Sequence, residues 1–123
     1  MGRKLVIATK NPGKVREMKA ILGDVYAEVL SLSDAGIEVD VEEDADTFVG
    51  NATKKAVEIS RLVDCDVVSD DSGLCVTGLF DRPGVYSARY SPEGTDEANN
   101  RKLVEECRAL SPKERRAYYA CAI

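Results

Sequence analysis

Histidine and tryptophan are absent from this chain of 123 residues, and phenylalanine occurs only twice. Without histidine there is no Ser-His-Asp or Cys-His relay and no imidazole ligand for zinc. The four cysteines, Cys65, Cys75, Cys107 and Cys121, include no C-x-x-C pair and lie in apolar stretches, which predicts buried, reduced thiols. No apolar run approaches the ~20 residues of a membrane helix. The opening residues Met1 to Leu5 enter a strand-like run without a signal-peptide core. A cytoplasmic protein with no membrane partner is expected. Positive charge is sparse and scattered: 17 Lys and Arg stand against 22 Asp and Glu, a net charge of −5. No nucleic-acid partner is expected from that balance, although phosphates can still bind where amides, lysines or a divalent cation gather.

What remains is an ordinary globular composition, 44% hydrophobic and 32% charged, in a length that suits one domain. No repeat, linker or internal boundary stands out. The run Lys4 to Ala8 predicts a strand buried on both faces. Turn residues Thr9 to Lys14 follow. Val15, Met18, Ala20, Ile21 and Leu22 then recur at helical spacing, with Gly23-Asp24 as the stop. Val25 to Leu32 predicts a second strand, giving a β-α-β unit that is right-handed if its strands are parallel. The loop between the first strand and the helix is not a P-loop. Gly13-Lys14 fits that motif, but Ala8 and Val15 stand where Gly and Ser/Thr belong. It still offers amides at a helix N-terminus to an anion, with Lys10 and Lys14 alongside.

Between Ser33 and Asp46 lie seven carboxylates, which predict a solvated loop from which one could turn inward to a cation. A helix from about Thr47 to Val63 follows, with Phe48, Ala52, Ala56, Ile59 and Leu62 or Val63 as its apolar stripe and Asn51 and Lys55 on a shared face. The run Val67-Val68-Ser69-Asp70-Asp71-Ser72-Gly73-Leu74 stops a β-branched strand on two adjacent carboxylates. Gly73 there predicts a tight turn. Such a strand end is either a solvated turn or an acidic ligand site, because sheltered neighbouring carboxylates need a cation, a proton or water. Beyond it, Arg89 stands among aromatic and small residues, placed to hold a phosphate or brace a carboxylate. Asp96 to Leu110 predicts a helix on the stripe Asn100, Leu103, Val104, Cys107 and Leu110. Ser111-Pro112-Lys113-Glu114 has the form of a capping box with proline at the first helical position, and Ala117 to Ile123 predicts a last strand.

Four motifs in order, Thr9-x-Asn11-x-x-Lys14, Glu43 before Thr47-Phe48-x-x-Asn51-Ala52-x-x-Lys55-Ala56, Asp70-Asp71-Ser72-Gly73-Leu74, and Pro83-Gly84-Val85-Tyr86-Ser87-Ala88-Arg89-Tyr90, span nearly the whole chain. The set resembles the inosine/xanthosine triphosphate pyrophosphatases. The resemblance implies an α/β fold, a mixed β-sheet flanked by helices, and a homodimer. It implies Mg²⁺-dependent hydrolysis of non-canonical purine nucleoside triphosphates (ITP, dITP, XTP) to monophosphate and pyrophosphate. Thr9, Lys10, Asn11, Pro12, Gly13 and Lys14 would grip the triphosphate, with Lys55, Ser72 and Arg89 as further substrate contacts. Glu43 and Asp71 would hold the metal, Asp70 would support it, and Asp71 would take a proton from the attacking water. Such chemistry asks for positioning and charge neutralisation rather than histidine.

Three departures accompany the resemblance. The family's later Phe-Gly-Tyr-Asp and Ser/Thr-His-Arg motifs have no counterpart here, so the chain matches the earlier part of the family's domain. A non-catalytic nucleotide-binding or dimerisation fragment of the same fold is the alternative reading. Gly50 stands where the family usually has Glu, which removes half of a capping box at a cost of about 1 kcal/mol. Phe80-Asp81 replaces a common Gly-Gly pair, which predicts a reshaped loop.

Overall fold

The structure, a computed structural model, describes residues 3–123, so the reading of Met1 and Gly2 as the start of the N-terminal run lies outside the described residues. The chain folds into two compact units, one of residues up to 45, 49–70 and 123, the other of residues 46–48 and 71–122.

The first unit begins with β1 (Lys4–Ile7), α1 (Pro12–Leu22) and β2 (Glu28–Ser31), and closes with α2 (Phe48–Ser60) and β3 (Asp66–Val68). Its three strands run parallel in the order β2-β1-β3, with Leu5 opposite both Val29 and Asp66. β1 is the middle strand, which explains its unbroken apolar run: Leu5, Val6 and Ile7 are all buried. Val6, Ala8, Leu32 and Ile59 form the core, with Leu30, Ile37, Val41, Val63 and Val67 packed around them.

The second strand is shorter than the pattern predicted, because residues 23–27 form turns and only Glu28–Ser31 pairs with β1. The apolar residues of α1 are only partly used: Val15, Met18 and Leu22 are half-buried while Ile21 is 73% exposed.

The second unit contains β4 (Asp71–Val76), β5 (Arg82–Pro83), a 3₁₀ segment Gly84–Arg89, α3 (Asp96–Cys107) and β6 (Ala117–Ala122). β4 lies between β5 and β6, antiparallel to both. The expected α/β architecture therefore holds, with its parallel and antiparallel strands in separate sheets.

Gly73 departs from the expected turn. It lies inside β4, opposite Ala120, and the residues between β3 and β4 are only Ser69 and Asp70. Its missing side chain serves space instead: a Cβ there would sit 2.2 Å from the Gly84 carbonyl oxygen and 2.6 Å from Ser87 Oγ.

The stripe assigned to α3 is also displaced. Ala98 and Asn99 are its buried residues, whereas Asn100 is exposed and Val104 is 54% exposed. The Ser111–Glu114 box does form, Ser111 N–H donating to Glu114 Oε1 and Glu114 N–H to Ser111 Oγ, but it closes a turn and not a helix. β6 begins two residues after the turn, leaving no length for helix propagation. The cysteine expectation holds for burial only at Cys75; Cys65 and Cys107 are half-buried and Cys121 is exposed. Cys121 lies on β6, an outer strand of its sheet. Among the described residues no helix is long and apolar enough to cross a membrane.

Candidate active site

In the first unit the candidate residues meet at the C-terminal ends of parallel strands, where open α/β sheets bind ligands. Thr9 is buried just past β1, and its hydroxyl accepts the Asn11 N–H at 3.2 Å. Asn11 caps α1: its Oδ1 accepts from Gly13 N at 2.9 Å and Lys14 N at 3.3 Å, with Pro12 in the first turn where no N–H is missed. The loop is thus a built N-terminus, but the Gly13 and Lys14 amides expected to face an anion are held by Asn11. An incoming anion must share or displace that cap. Beside the loop runs an open groove of about 540 Å³ whose lining includes Thr9, Lys10, Pro12, Arg16 and Lys19.

The three lysines singled out in the sequence each contact a carboxylate. Lys10 Nζ lies 3.1 Å from Asp40 Oδ1, with both side chains well exposed. Lys14 Nζ lies 2.8 Å from Oδ2 of Asp70, whose side chain is only 3% exposed. Lys55 Nζ lies 2.7 Å from Glu43 Oε1 and also donates to the Asp70 backbone carbonyl. Exposed pairs such as Lys10–Asp40 contribute little, whereas the sheltered pairs offset the cost of burying Asp70 and of confining Glu43. Through Lys55, Glu43 of the acidic loop is brought to the strand end.

Asn51, which shares a face of α2 with Lys55, lies in the interior. It is 1% exposed, and its Oδ1 accepts the Ala45 N–H at 2.8 Å. A buried carboxamide on α2 therefore pins the loop two residues after Glu43. The Asn-x-x-x-Lys spacing signalled a shared face, but not that half of the face is interior.

In the second unit Asp71 is the first residue of β4 and is buried, while Ser72 is half-buried. Arg89 closes the 3₁₀ segment, is exposed, and lies over the Tyr86 ring with 5.3 Å from its Cζ to the ring centroid. Beside it the Tyr90 hydroxyl donates to Glu106. Burial, reinforced by that hydrogen bond, pushes the phenol up to about 12.

Among the described residues no three carboxylate or thiol groups gather closely enough to hold a metal ion alone. The donors at the strand end are nonetheless oxygen only, which suits a hard cation. Mg²⁺ takes one or two protein carboxylates and fills its remaining positions with water and substrate phosphate. Glu43 holds a cationic ammonium there already. Oxygen donors of this kind are what a hard divalent cation takes.

Comparison with known proteins sharpens these observations. A sequence model of the Ham1 family matches residues 5–123. The chain is 46% identical to a dITP/XTP pyrophosphatase of Clostridium perfringens, over 98% of this chain and 63% of that protein. It is 47% identical to the dITP/XTP pyrophosphatase of Geobacter sulfurreducens, over 98% of this chain and 61% of that one. Among solved structures it is similar to the Ham1 protein of Staphylococcus aureus, with a TM-score of 0.81 and 37% identity, over 97% of this chain and 60% of that one. A HAM1 protein from Coxiella burnetii gives a TM-score of 0.84 at 31% identity, over 97% of this chain and 60% of that one. The chain thus spans about three-fifths of the length of these relatives.

Proposed function

Because the chain belongs to the Ham1 family, we propose that it carries out the hydrolysis of non-canonical purine nucleoside triphosphates (dITP, XTP and ITP) to monophosphate and pyrophosphate. The observation that carries this reading is the alternation of lysines and carboxylates at the strand end: Lys14 on Asp70, and Lys55 on Glu43 and the Asp70 carbonyl. A polyphosphate and its cation can each exchange with one member of such pairs without leaving a buried charge uncompensated.

In this reading Lys10, Lys14 and Lys55 turn to phosphate oxygens, and the Thr9–Lys14 loop contributes its amides once Asn11 gives them up. Arg89 and Ser72 are the further substrate contacts of this reading. Glu43 and Asp71, with Asp70 in support, would hold Mg²⁺, which when bound supplies charge neutralisation for the phosphates. Asp71 accepts the proton of the attacking water. Water oxygen bonds to phosphorus, the bridge between the α- and β-phosphates breaks, and pyrophosphate leaves with the bridging oxygen.

The test is pyrophosphate release from dITP, XTP and ITP, against dATP and dGTP, with and without Mg²⁺. Turnover that requires the metal, prefers the non-canonical bases and is lost in Asp71→Asn supports the reading. Triphosphate binding without any hydrolysis would instead favour a non-catalytic nucleotide-binding domain.

A further inference from the structure

Asn99 was not among the residues singled out in the sequence, yet its side chain makes four hydrogen bonds within the second unit. It is 6% exposed, in the first turn of α3 behind the cap Thr95. Its Nδ2 donates to the Ser87 carbonyl at 3.2 Å and to the Ala88 carbonyl at 3.0 Å. Its Oδ1 accepts from both Ser91 N and Ser91 Oγ at 2.7 Å. A carboxamide has two donors and two acceptor sites, and all four are used.

Every partner lies in residues 87–91, on either side of Arg89. The 3₁₀ segment ends at Arg89, so its last carbonyls need donors from elsewhere. The amide supplies them from a separate, rigid helix. α3 reinforces this grip from its next turns: Lys102 Nζ donates to the Tyr90 carbonyl at 2.8 Å and sits 4.3 Å from the centre of the Tyr90 ring, and Glu106 takes the Tyr90 hydroxyl. The network then reaches β4. Ser87 Oγ accepts the Leu74 N–H at 3.1 Å and donates to the Gly84 carbonyl at 2.7 Å, in the space that Gly73 leaves open.

We propose that Asn99 is a positioning residue: its carboxamide sets the backbone from Ser87 to Ser91, and with it the Arg89 guanidinium and the strand that carries Asp71 and Ser72. The kinetic part of this proposal rests on the functional reading above, in which Arg89, Asp71 and Ser72 face substrate. Aspartate at position 99 keeps the shape and the acceptor half, but it cannot donate to the Ser87 and Ala88 carbonyls and turns a charge toward them.

The experiment compares the full chain with N99D, R89A and the double variant, and uses S91A as a milder probe that removes one hydroxyl contact. Amide exchange at Leu74, whose N–H bonds to the Ser87 hydroxyl, is expected to accelerate in N99D, whereas the Ser91 amide keeps an oxygen acceptor at position 99. KM for dITP is expected to rise about tenfold, and about twofold in S91A, with a smaller change in kcat. The N99D effect on KM should largely vanish in the R89A background, since a residue that acts through Arg89 has nothing left to position. Unchanged exchange at Leu74 overturns the proposal whatever the activity, and so does a KM effect that simply adds to that of R89A. If the unmutated chain neither binds nor hydrolyses triphosphate, the functional reading falls, and exchange alone still decides whether Asn99 holds this backbone.

Discussion

The Lys55 ammonium lies 2.7 Å from Glu43 Oε1 while donating to the Asp70 carbonyl, so one α2 side chain ties the acidic loop to the strand end. A divalent cation that takes Glu43 competes with that ammonium, whereas a triphosphate recruits it. Lys55→Met is therefore expected to bind Mg²⁺ alone more tightly and to bind triphosphate roughly tenfold more weakly, both measurable by calorimetry. Weaker Mg²⁺ binding in the variant would show that the ammonium supports the ion site and does not compete for it.

Asn51 holds the same loop by a different bond, accepting the Ala45 N–H from a position 1% exposed. Asn51→Leu keeps the approximate volume but leaves that half-buried amide without its acceptor. A loss of about 2 kcal/mol in denaturant unfolding is expected, with faster exchange at the Ala45 amide. An unchanged Ala45 amide would show that the loop is held elsewhere.

Gly73 has no room for a side chain, because its neighbour is the backbone oxygen of Gly84 and a backbone cannot rotate aside. Gly73→Ala should cost about 3 kcal/mol or more, or abolish folding of the second unit. A melting temperature within a degree or two of the parent would refute the tight packing of β4 on the 3₁₀ segment.

Phe80 and Asp81 occupy the left-handed region, with φ of 57° and 64°, where a side chain strains the backbone. Phe80 is 90% exposed, so replacing it sacrifices almost no packing. Phe80→Gly relieves about 1–2 kcal/mol of strain and returns part of it as unfolded-chain entropy. A net gain of about 0.5–1 kcal/mol follows, and no gain in melting temperature would contradict it.

Tyr90 gives stability a pH dependence of definite sign. Its folded value is raised to about 12, mainly by burial and then by the Glu106 hydrogen bond, against an ordinary value of 10.0. The folded state thus retains a proton that the unfolded chain releases. The contribution is complete below pH 10 and is lost as pH rises from 10 towards 12. Tyr90→Phe should flatten the difference in stability across that window; parallel curves for the two proteins would exclude Tyr90 as the source.

Much of the first unit was legible because its signals are local. The β1 run is apolar on both faces as a middle parallel strand must be, Asn11-Pro12 has the chemistry of a helix start, and the Asp70-Asp71 pair marks a strand end by interrupting β-branched residues. The second unit was less legible because its decisive contacts are remote in sequence. Asn99 and Asn100 are equivalent in composition, and a polar helix shows no phase that says which one faces inward. Gly73 looks like a turn glycine until Gly84 and Ser87 are packed against it. The Ser111–Glu114 box bonded as its spacing demands, yet made a turn because β6 pairs with β4 and claims the next residues.

The sequence by itself determined the element types, the ordered motifs and the inventory of carboxylates, lysines and one arginine from which a phosphate site can be built. Those follow from backbone propensity, side-chain chemistry and spacing along one chain. Only the tertiary structure decided which lysine meets which carboxylate, that Asn51 is interior, that the anion-facing amides are capped by Asn11, and that Asn99 grips the backbone around Arg89. Hydrogen-bond partnership and burial are properties of pairs brought together from distant positions, and no single stretch of the chain carries that information.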